Sequence, residues 1–542
     1  MPRTDLFRAF RRAVALSRSP QQGVTRKDFL KHSGAALGAA AFGLPKLLAA
    51  AALSSEEPVA ILGAGVSGLT AAYRLQQAGV PWVLYEASER FGGRMFTKRA
   101  FNADGMFCEL GGELVDTQHR SIRRLIRELG LETQTLAQTK TGVSRNLYWF
   151  GGRVYTDDDL REHVGPLVDA VVRDLAALFG SAPRRMITYK DAPPGAERLD
   201  RMTLRAYLDS LSGVEKWVRG AIESAYLTEY GLDVERQSAL NLHMLVSTAV
   251  GAGDFELFGD SDEALRVVGG SQRVTDALAK RLSLESSGTH RYKPSHELVS
   301  ISDAGAKLKL AFKTPGGTVE KSYGRALCAI PFSVLRGVDG VFALDMSARK
   351  KEAIRKMSYG TNSKLMLGFS DRYWRTGESG APKSNGGLFS DLPGQSYWET
   401  SRAQKGRRGI ITNYTGGAAG LAREIKHVDE CLADMETVFP SVKKRFDGST
   451  ALFNWGRYRH NLGSYICPAP GDYTSWYGAA GDPECGGRLF FAGEHATVDN
   501  CGYMNGGVAA AEAAVKSLLA GSRLGQARAA HGGVDRPQRI LR

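Results

Sequence analysis

Val59-Ala60-Ile61-Leu62-Gly63-Ala64-Gly65-Val66-Ser67-Gly68 is an apolar run that turns at once into a glycine-rich segment. The run predicts a short buried strand. Leu69 to Gln77 predicts a helix, with Leu69, Ala72, Tyr73 and Leu75 at its apolar positions. Gly79 ends that helix, Trp82-Val83-Leu84-Tyr85 predicts the next strand, and Glu86 closes it, 23 residues after Gly63. The residue types suit a phosphate turn. Gly63 permits the tight bend, Gly65 lets backbone approach a pyrophosphate, and Gly68 lets helix and strand pack closely, with Ser67 beside them as a further cofactor-binding residue. The helix N-terminus offers unpaired N–H groups to phosphate. Glu86 can accept hydrogen bonds from ribose hydroxyls, and its charge disfavours a 2′-phosphate. The pattern predicts a dinucleotide-binding α/β domain without choosing between NAD and FAD.

Three further segments make the choice. Glu86-Ala87-Ser88-Glu89-Arg90-Phe91-Gly92-Gly93-Arg94 looks like the second signature of the glutathione-reductase-like FAD enzymes, in which the paired glycines and the arginine (here Gly93 and Arg94) lie beside the pyrophosphate. Arg94 can neutralise phosphate through charge-assisted bonds. Glu109-Leu110-Gly111-Gly112-Glu113 stands where such enzymes bring backbone against the isoalloxazine ring, and paired glycines suit a close approach to a flat ligand. Arg488 to His495, containing Gly493 and Glu494, reads as a buried strand ending at a glycine and an acid; Gly502-Tyr503-Met504-Asn505-Gly506-Gly507-Val508 then opens a helix running to about Leu519. Gly493 lies roughly 430 residues beyond Gly63, which implies an FAD domain assembled from distant segments.

From about Pro58 to Leu519 the chain resembles the flavin amine oxidase family, which includes monoamine, polyamine and L-amino acid oxidases. Val267 to Gln272 resembles the family's middle FAD segment, Leu298 to Ile301, with Val299, the strand touching the adenine side, and Ala326 to Pro331 the return strand. The resemblance implies a glutathione-reductase-like FAD-binding Rossmann domain with a discontinuous α+β substrate domain. The FAD domain is expected from 54–120, 264–345 and 450–521, and the substrate domain from 121–263 and 346–449.

The resemblance also implies site residues. Tyr465, in Gly463-Ser464-Tyr465-Ile466-Cys467-Pro468, and Tyr503 match two aromatic side chains that face the flavin with the amine between them. Human-type members carry a cysteine bonded to the flavin just before the first tyrosine; here Ser464 stands there, so non-covalent FAD is expected. Lys364 matches the lysine that holds a water against flavin N5 and assists reaction with O2, where a cation stabilises developing negative charge. An edge-strand solvent lysine is the bland alternative. L-amino acid oxidases of this superfamily usually carry an arginine shortly after the paired glycines. Here Glu113, Leu114, Val115 and Asp116 occupy those positions, and Glu113 and Asp116 are expected as entrance acids that attract cationic amines. His119 and Arg120 read as a solvated helix start.

The implied reaction is oxidative deamination of a primary amine or polyamine by hydride transfer to flavin N5, with O2 reduced to H2O2. An L-amino acid oxidase is the rival with the same chemistry, and a desaturase or protoporphyrinogen-type oxidase shares the N-terminal motifs. A flavin-binding interaction protein without turnover is the rival of another class.

Composition is compatible. A chain of 542 residues with 43% hydrophobic and 24% charged residues can bury a large core in two or more domains. The net charge of +14 is concentrated at the ends: residues 1–50 hold nine Lys/Arg and two Asp, residues 522–542 five Arg and one Asp, leaving about +3 for the body. That distribution argues against a nucleic-acid partner. Residues 1–53 read as a leader, Arg-rich before a weakly apolar Gly/Ala run, with Thr25-Arg26-Lys27-Asp28-Phe29-Leu30-Lys31 resembling a twin-arginine motif in which Lys27 replaces the second arginine. Export through that route is expected, with no stable transmembrane anchor and a basic tail over 522–542. The six cysteines show no metal-ligand spacing, so no metal site is expected; free thiols are expected, with one bridge among Cys467, Cys485 and Cys501 as the alternative. The expected partners are a small-molecule amine or amino acid and O2; a homodimer is left open.

Overall fold

Strand β1 (Val59–Leu62) is buried at every position and pairs in parallel with β2 (Trp82–Tyr85) on one side and with Ala326–Cys328 on the other. A chain with no polar side chain along a strand can be covered on both faces, which is where parallel sheets occur. Tyr292–Lys293 extends the sheet beyond β2 and Leu489–Phe491 beyond Ala326–Cys328, both in parallel, so five strands drawn from across the chain form one sheet. Helix α1 (Val66–Gln77) begins directly after the glycine turn, three residues earlier than the apolar pattern suggests, because Val66, Ser67 and Gly68 already adopt helical backbone. The C-terminal helix Met504–Ala520 packs against α1 through small residues, and the Ser67 hydroxyl donates to the Gly507 carbonyl at 2.8 Å.

The computed structural model describes residues 57–136, 143–246, 257–259, 261–284, 291–377 and 382–521. The expected leader and basic tail lie outside these residues.

A second, mixed sheet has seven strands in the order Phe446–Asn454, Ser363–Phe369, Gly409–Thr415, Ser396–Glu399, Ser384–Ser390, Ser144–Phe150 and Arg153–Thr156. The expected boundary between 449 and 450 falls inside its first strand. Ser363–Phe369 is an interior strand, paired on both edges, and buried at all seven positions. Leu265–Val267 pairs with both Leu114–Val115 and Thr133–Thr135, and this register sets Arg266 opposite Leu114. Helices including Gly165–Phe179, Lys216–Tyr230 and Leu240–Leu245 supply side chains to a large apolar core. All six cysteines are free thiols. Among the described residues no helix is long and apolar enough to cross a membrane, and no group of three or more His, Cys, Asp or Glu is placed to hold a metal.

Candidate active site

The glycine turn after β1 meets the second glycine segment directly. Gly65 and Gly92 form an isolated parallel bridge, and the Gly92 N–H donates to the Ala64 carbonyl at 2.8 Å. Gly65 is the N-cap of α1 and offers no side-chain cap, so the first N–H groups of that helix are left for another acceptor. A Cβ on Gly65 would meet only the Gly93 Cα, at 3.8 Å, and would stand in the space between the two turns. Glu86 accepts from the Ala64 N–H at 2.8 Å and from the Ser88 N–H and hydroxyl at 2.9 and 2.8 Å. A carboxylate has about four lone-pair sites, so these bonds orient Glu86 and leave acceptor capacity. A bulge between Leu298 and Ser300 takes Val299 out of its ladder, while its carbonyl accepts from the Asp339 N–H at 3.0 Å. An uncapped helix N-terminus over a side-chain-free cradle, with an oriented carboxylate one strand away, fits the pyrophosphate and ribose of a dinucleotide.

Three further expected cofactor residues, Ser67, Arg94 and Glu494, have protein partners. The Ser67 hydroxyl donates to the Gly507 carbonyl and ties two helices together, which leaves its backbone N–H, at the start of α1, as the group free to face a phosphate. Arg94 donates through Nη1 to Glu494 Oε1 at 2.8 Å and to the Ser464 carbonyl at 2.5 Å, joining the N-terminal and C-terminal segments. Glu494 in turn accepts from the Gly502 N–H at 2.9 Å, which anchors the loop carrying Tyr503. Next to it, both ring nitrogens of His495 are buried without a protein partner among the described residues. Burial and the nearby Arg94 and Lys350 cations push that ring down to about 3, so it is neutral.

The turn containing Gly111 and Gly112 is held from several sides. Ser271 donates its N–H to Glu109 and its hydroxyl to the Gly112 carbonyl at 2.6 and 2.7 Å, and the Trp455 indole donates to the Leu110 carbonyl at 2.8 Å. A Cβ on Gly112 would touch Met504, the first residue of the helix after Tyr503. Lys364 Nζ donates to the Gly111 carbonyl at 2.9 Å and to Glu113 Oε2 at 3.2 Å. It also stands 5.0 Å from the Trp398 ring centroid and 5.9 Å from that of Tyr414. Strand register explains this: Lys364 lies directly opposite Tyr414, and Trp398 meets Tyr414 edge-on across the next pair. Lys364 is 6% exposed on an interior strand, which removes the edge-strand alternative.

Each tyrosine is linked to this turn through one neighbour, Tyr465 through Tyr414 beside Lys364 and Tyr503 through Met504 beside Gly112. The Tyr465 hydroxyl donates to the Thr228 carbonyl at 3.2 Å and lies 2.7 Å from the Tyr414 hydroxyl. The Tyr503 hydroxyl donates to Glu229 Oε1 at 3.0 Å, and its ring lies 5.0 Å from that of His119.

Glu113 and Asp116, expected as entrance acids, are each 5% exposed and have internal partners. Glu113 accepts from Lys364, from the Trp398 indole at 3.3 Å and from the Thr400 hydroxyl, with Arg266 Nη1 at 3.8 Å. Asp116 accepts from the Glu263 N–H at 3.0 Å and lies 3.4 Å from His119 Nε2. His119 is likewise buried rather than solvated, and burial pushes its ring down to about 4; Arg120 is exposed as expected.

The acid that borders the tyrosines is Glu229, and Glu263 lies within its electrostatic reach. Burial, then repulsion from Glu263, raises Glu229 to about 8, with Asp116 adding to the rise and the Tyr503 hydrogen bond opposing it. Burial also raises Glu263, although Arg145 stands 3.7 Å away. Glu263 has φ +45°, a left-handed conformation uncommon for a side-chain-bearing residue and more frequent where function constrains the backbone. The apolar and aromatic surroundings of Glu229, in Ala225-Tyr226-Leu227-Thr228-Glu229-Tyr230-Gly231, are the sequence signal that marks it.

The sign of the Glu229 shift sets a pH dependence. A folded-state value above the unfolded one means that the folded protein holds this proton more tightly. The stability it contributes is complete below the ordinary value of 4.5 and is lost as pH rises through about 8. The melting temperature of the holoprotein is therefore expected to fall across that interval, and Glu229→Gln should flatten the fall. An identical pH slope in the variant would assign it to other groups.

Against this geometry the comparisons are decisive at family level. A profile described as flavin containing amine oxidoreductase matches residues 66–519. The chain belongs to this family. FAD is accordingly its cofactor, and it is an oxidoreductase acting on CH–NH2 groups. The flavin-dependent L-tryptophan oxidase RebO of Lentzea aerocolonigenes is 26% identical, over 85% of this chain and 98% of its own. The flavin-containing amine oxidase B of Sus scrofa is 25% identical, over 86% and 87% respectively. The solved cyclohexylamine oxidase from Brevibacterium oxydans shares the fold with a TM-score of 0.70 at 20% identity, over 85% of this chain and 98% of that one. Putrescine oxidase solved with putrescine superposes with a TM-score of 0.67 at 20% identity, over 86% of this chain and 99% of that one.

Proposed function

We propose that this family member oxidatively deaminates a small primary amine or polyamine: amine, O2 and water become carbonyl compound, ammonia and H2O2. The observation carrying this reading is the surplus of acid at the tyrosine pair. Glu229 borders Tyr465 and Tyr503, Asp116 and Glu263 lie within its electrostatic reach, and burial raises all three carboxyls. An ammonium group entering beside these carboxyls favours their ionised form and pairs with it, whereas a substrate carboxylate would be repelled as they ionise.

Bound FAD supplies the two-electron acceptor. Tyr465 and Tyr503 wall the amine, each held by its hydroxyl, to Thr228 and Glu229 respectively. The Tyr503–Glu229 bond sets a carboxyl beside the nitrogen, where, once ionised by the approaching cation, it can pair with the ammonium and accept its proton. Loss of water around the nitrogen then favours the neutral amine, the form with a lone pair available for oxidation. Lys364 brings a cation to the Gly111 turn, where negative charge develops during reaction with O2. We also propose that FAD is held without a covalent bond, because the Ser464 hydroxyl donates to Asn362 Oδ1 at 2.6 Å where covalently linked relatives carry cysteine.

The L-amino acid reading draws on Arg145 and Arg402, the cations near Glu263. Arg145 faces Glu263 itself, and Arg402 Nε donates to the Glu399 carbonyl at 3.0 Å. A peroxide-coupled comparison of a monoamine, a diamine and an L-amino acid on purified holoprotein separates the readings. Amines are expected to give peroxide, and Tyr503→Ala is expected to lower that rate about 100-fold with flavin retained, the scale of a misplaced reactant. Turnover of the amino acid in preference to both amines would overturn the proposal.

A further inference from the structure

Glu113 is the most heavily engaged carboxylate near the tyrosines, and its partners include the cation to which the proposed function assigns reaction with O2. Its two oxygens divide the work. Oε2 takes Lys364 at 3.2 Å and the Trp398 indole at 3.3 Å; Oε1 takes the Thr400 hydroxyl and faces Arg266 at 3.8 Å. The partners come from three separate stretches of chain, with Trp398 and Thr400 sharing one, and the strand register that sets Leu114 opposite Arg266 brings that guanidinium alongside. Arg266 is itself pinned by donation to the Thr400 and Arg402 carbonyls, so it is a fixed charge. Burial opposes ionisation of Glu113, but Lys364 first and then Arg266 and Thr400 outweigh it and hold the carboxyl below its ordinary range. The result is an ionised carboxylate buried with two cations, with Glu109 and Glu263 within its electrostatic reach and Glu399 within that of Arg266.

We propose that Glu113 is a positioning residue that fixes Lys364 on the Gly111 carbonyl and sets the net charge felt by the flavin ring. This rests on the reading that the ring lies against the Gly111–Gly112 turn beside Lys364. A lysine has four rotatable bonds and no directional preference of its own. Without an anionic partner, Lys364 would be held at the turn only by one carbonyl and two ring faces. With Glu113 present, the cation is both oriented and balanced, and the charge that reduction brings to the ring is stabilised by Arg266 and Lys364 together against one fixed anion.

The test uses holoprotein and reads the flavin without substrate turnover. Anaerobic redox titration of the bound flavin is expected to show Glu113→Gln favouring the reduced state by at least tenfold, which for a two-electron couple is about 30 mV upward. Lys364→Met is expected to move it the opposite way. Sulfite provides a second readout, since its sulfur lone pair forms a bond to flavin N5 and passes negative charge to the ring. Glu113→Gln should bind sulfite at least tenfold more tightly than wild type, and Lys364→Met more weakly. Removing one partner of a buried ion pair can unfold a protein. The Glu113→Gln/Lys364→Met double variant removes both charges and should lie at least tenfold to the reduced side of Lys364→Met alone.

If Lys364→Met moves both readouts while Glu113→Gln moves neither, or the double variant coincides with Lys364→Met, the role of Glu113 is overturned and the placement of Lys364 stands. If Lys364→Met moves neither readout, the placement of Lys364 beside the flavin falls first. A purely structural Glu113 would not give shifts of opposite sign for the two charge removals.

Discussion

Gly68→Ala is expected to yield a protein that folds but is purified with little flavin, its FAD affinity lowered about 100-fold. A Cβ built on Gly68 lies 1.8 Å from the Gly63 carbonyl oxygen and 3.0 Å from its carbon. Real Cβ contacts do not come that close, so either the turn or α1 must retreat. The turn is held by the Gly63 N–H donating to the Tyr85 carbonyl at 2.8 Å, and by β1 pairing on both edges. Helix α1 is the part that can move, and its N-terminus is the part that meets phosphate. Overpacking of this kind costs about 1–3 kcal/mol, and 1.4 kcal/mol corresponds to about tenfold in affinity. The upper end of that range gives the 100-fold estimate. Because the proposed attachment is non-covalent, weakened affinity should appear directly as lost 450 nm absorbance per chain. Acid precipitation of the wild type should correspondingly leave its flavin in the supernatant. Full yellow colour in Gly68→Ala would show that the close packing of turn and helix does not limit cofactor binding. Flavin remaining in the acid pellet would end the non-covalent proposal.

Lys364→Met is expected to slow reaction of the reduced protein with O2 by about 10²–10³-fold, the usual effect of removing one preorganised group that stabilises developing negative charge. The first electron taken up by O2 creates an anion in a site from which water is largely excluded, where a fixed cation is worth far more than in bulk solvent. Lys364 meets the structural requirement: it is buried on an interior strand and donates to the Gly111 carbonyl at 2.9 Å. Reduction by amine under anaerobic conditions should keep nearly its wild-type rate, since Tyr465, Tyr503 and Glu229 are anchored elsewhere. Stopped-flow measurement of the two half-reactions checks both statements. A variant slowed equally in both halves would point to general damage to the cavity, and one slowed in neither would remove Lys364 from the mechanism.

Much of the cofactor region was legible in the sequence because its determinants are local. A strand, a tight turn, a helix and a second strand within thirty residues must pack as one unit, and Val59–Leu62, Val66–Gln77 and Trp82–Tyr85 form as the apolar pattern and glycine spacing predict. The same holds for the strand Leu489–Phe491 and the helix from Met504, which join that unit from the far end of the chain. The positions of Lys364, Tyr465 and Tyr503 came from resemblance to a family, which stands in for tertiary information.

Side-chain partnerships were not legible, because a polar residue's role depends on what long-range packing sets beside it. Glu113 and Asp116 read as entrance acids when only sequence neighbours are considered, yet Glu113 meets Lys364 from 251 positions away and Asp116 is closed in by Glu263 and His119. Nothing near Ser67 in sequence shows that its hydroxyl donates to the carbonyl of Gly507, 440 residues distant. Glu229 is one acid at the end of a helix until Tyr503 and Glu263 are folded against it and burial raises it. The sequence by itself determined that a dinucleotide fold forms and where its phosphate turn lies, since backbone geometry there follows from contiguous residues. Only the tertiary structure decided which carboxylates border the tyrosines and which are bound to internal cations, because desolvation and charge pairing arise between segments that meet after folding.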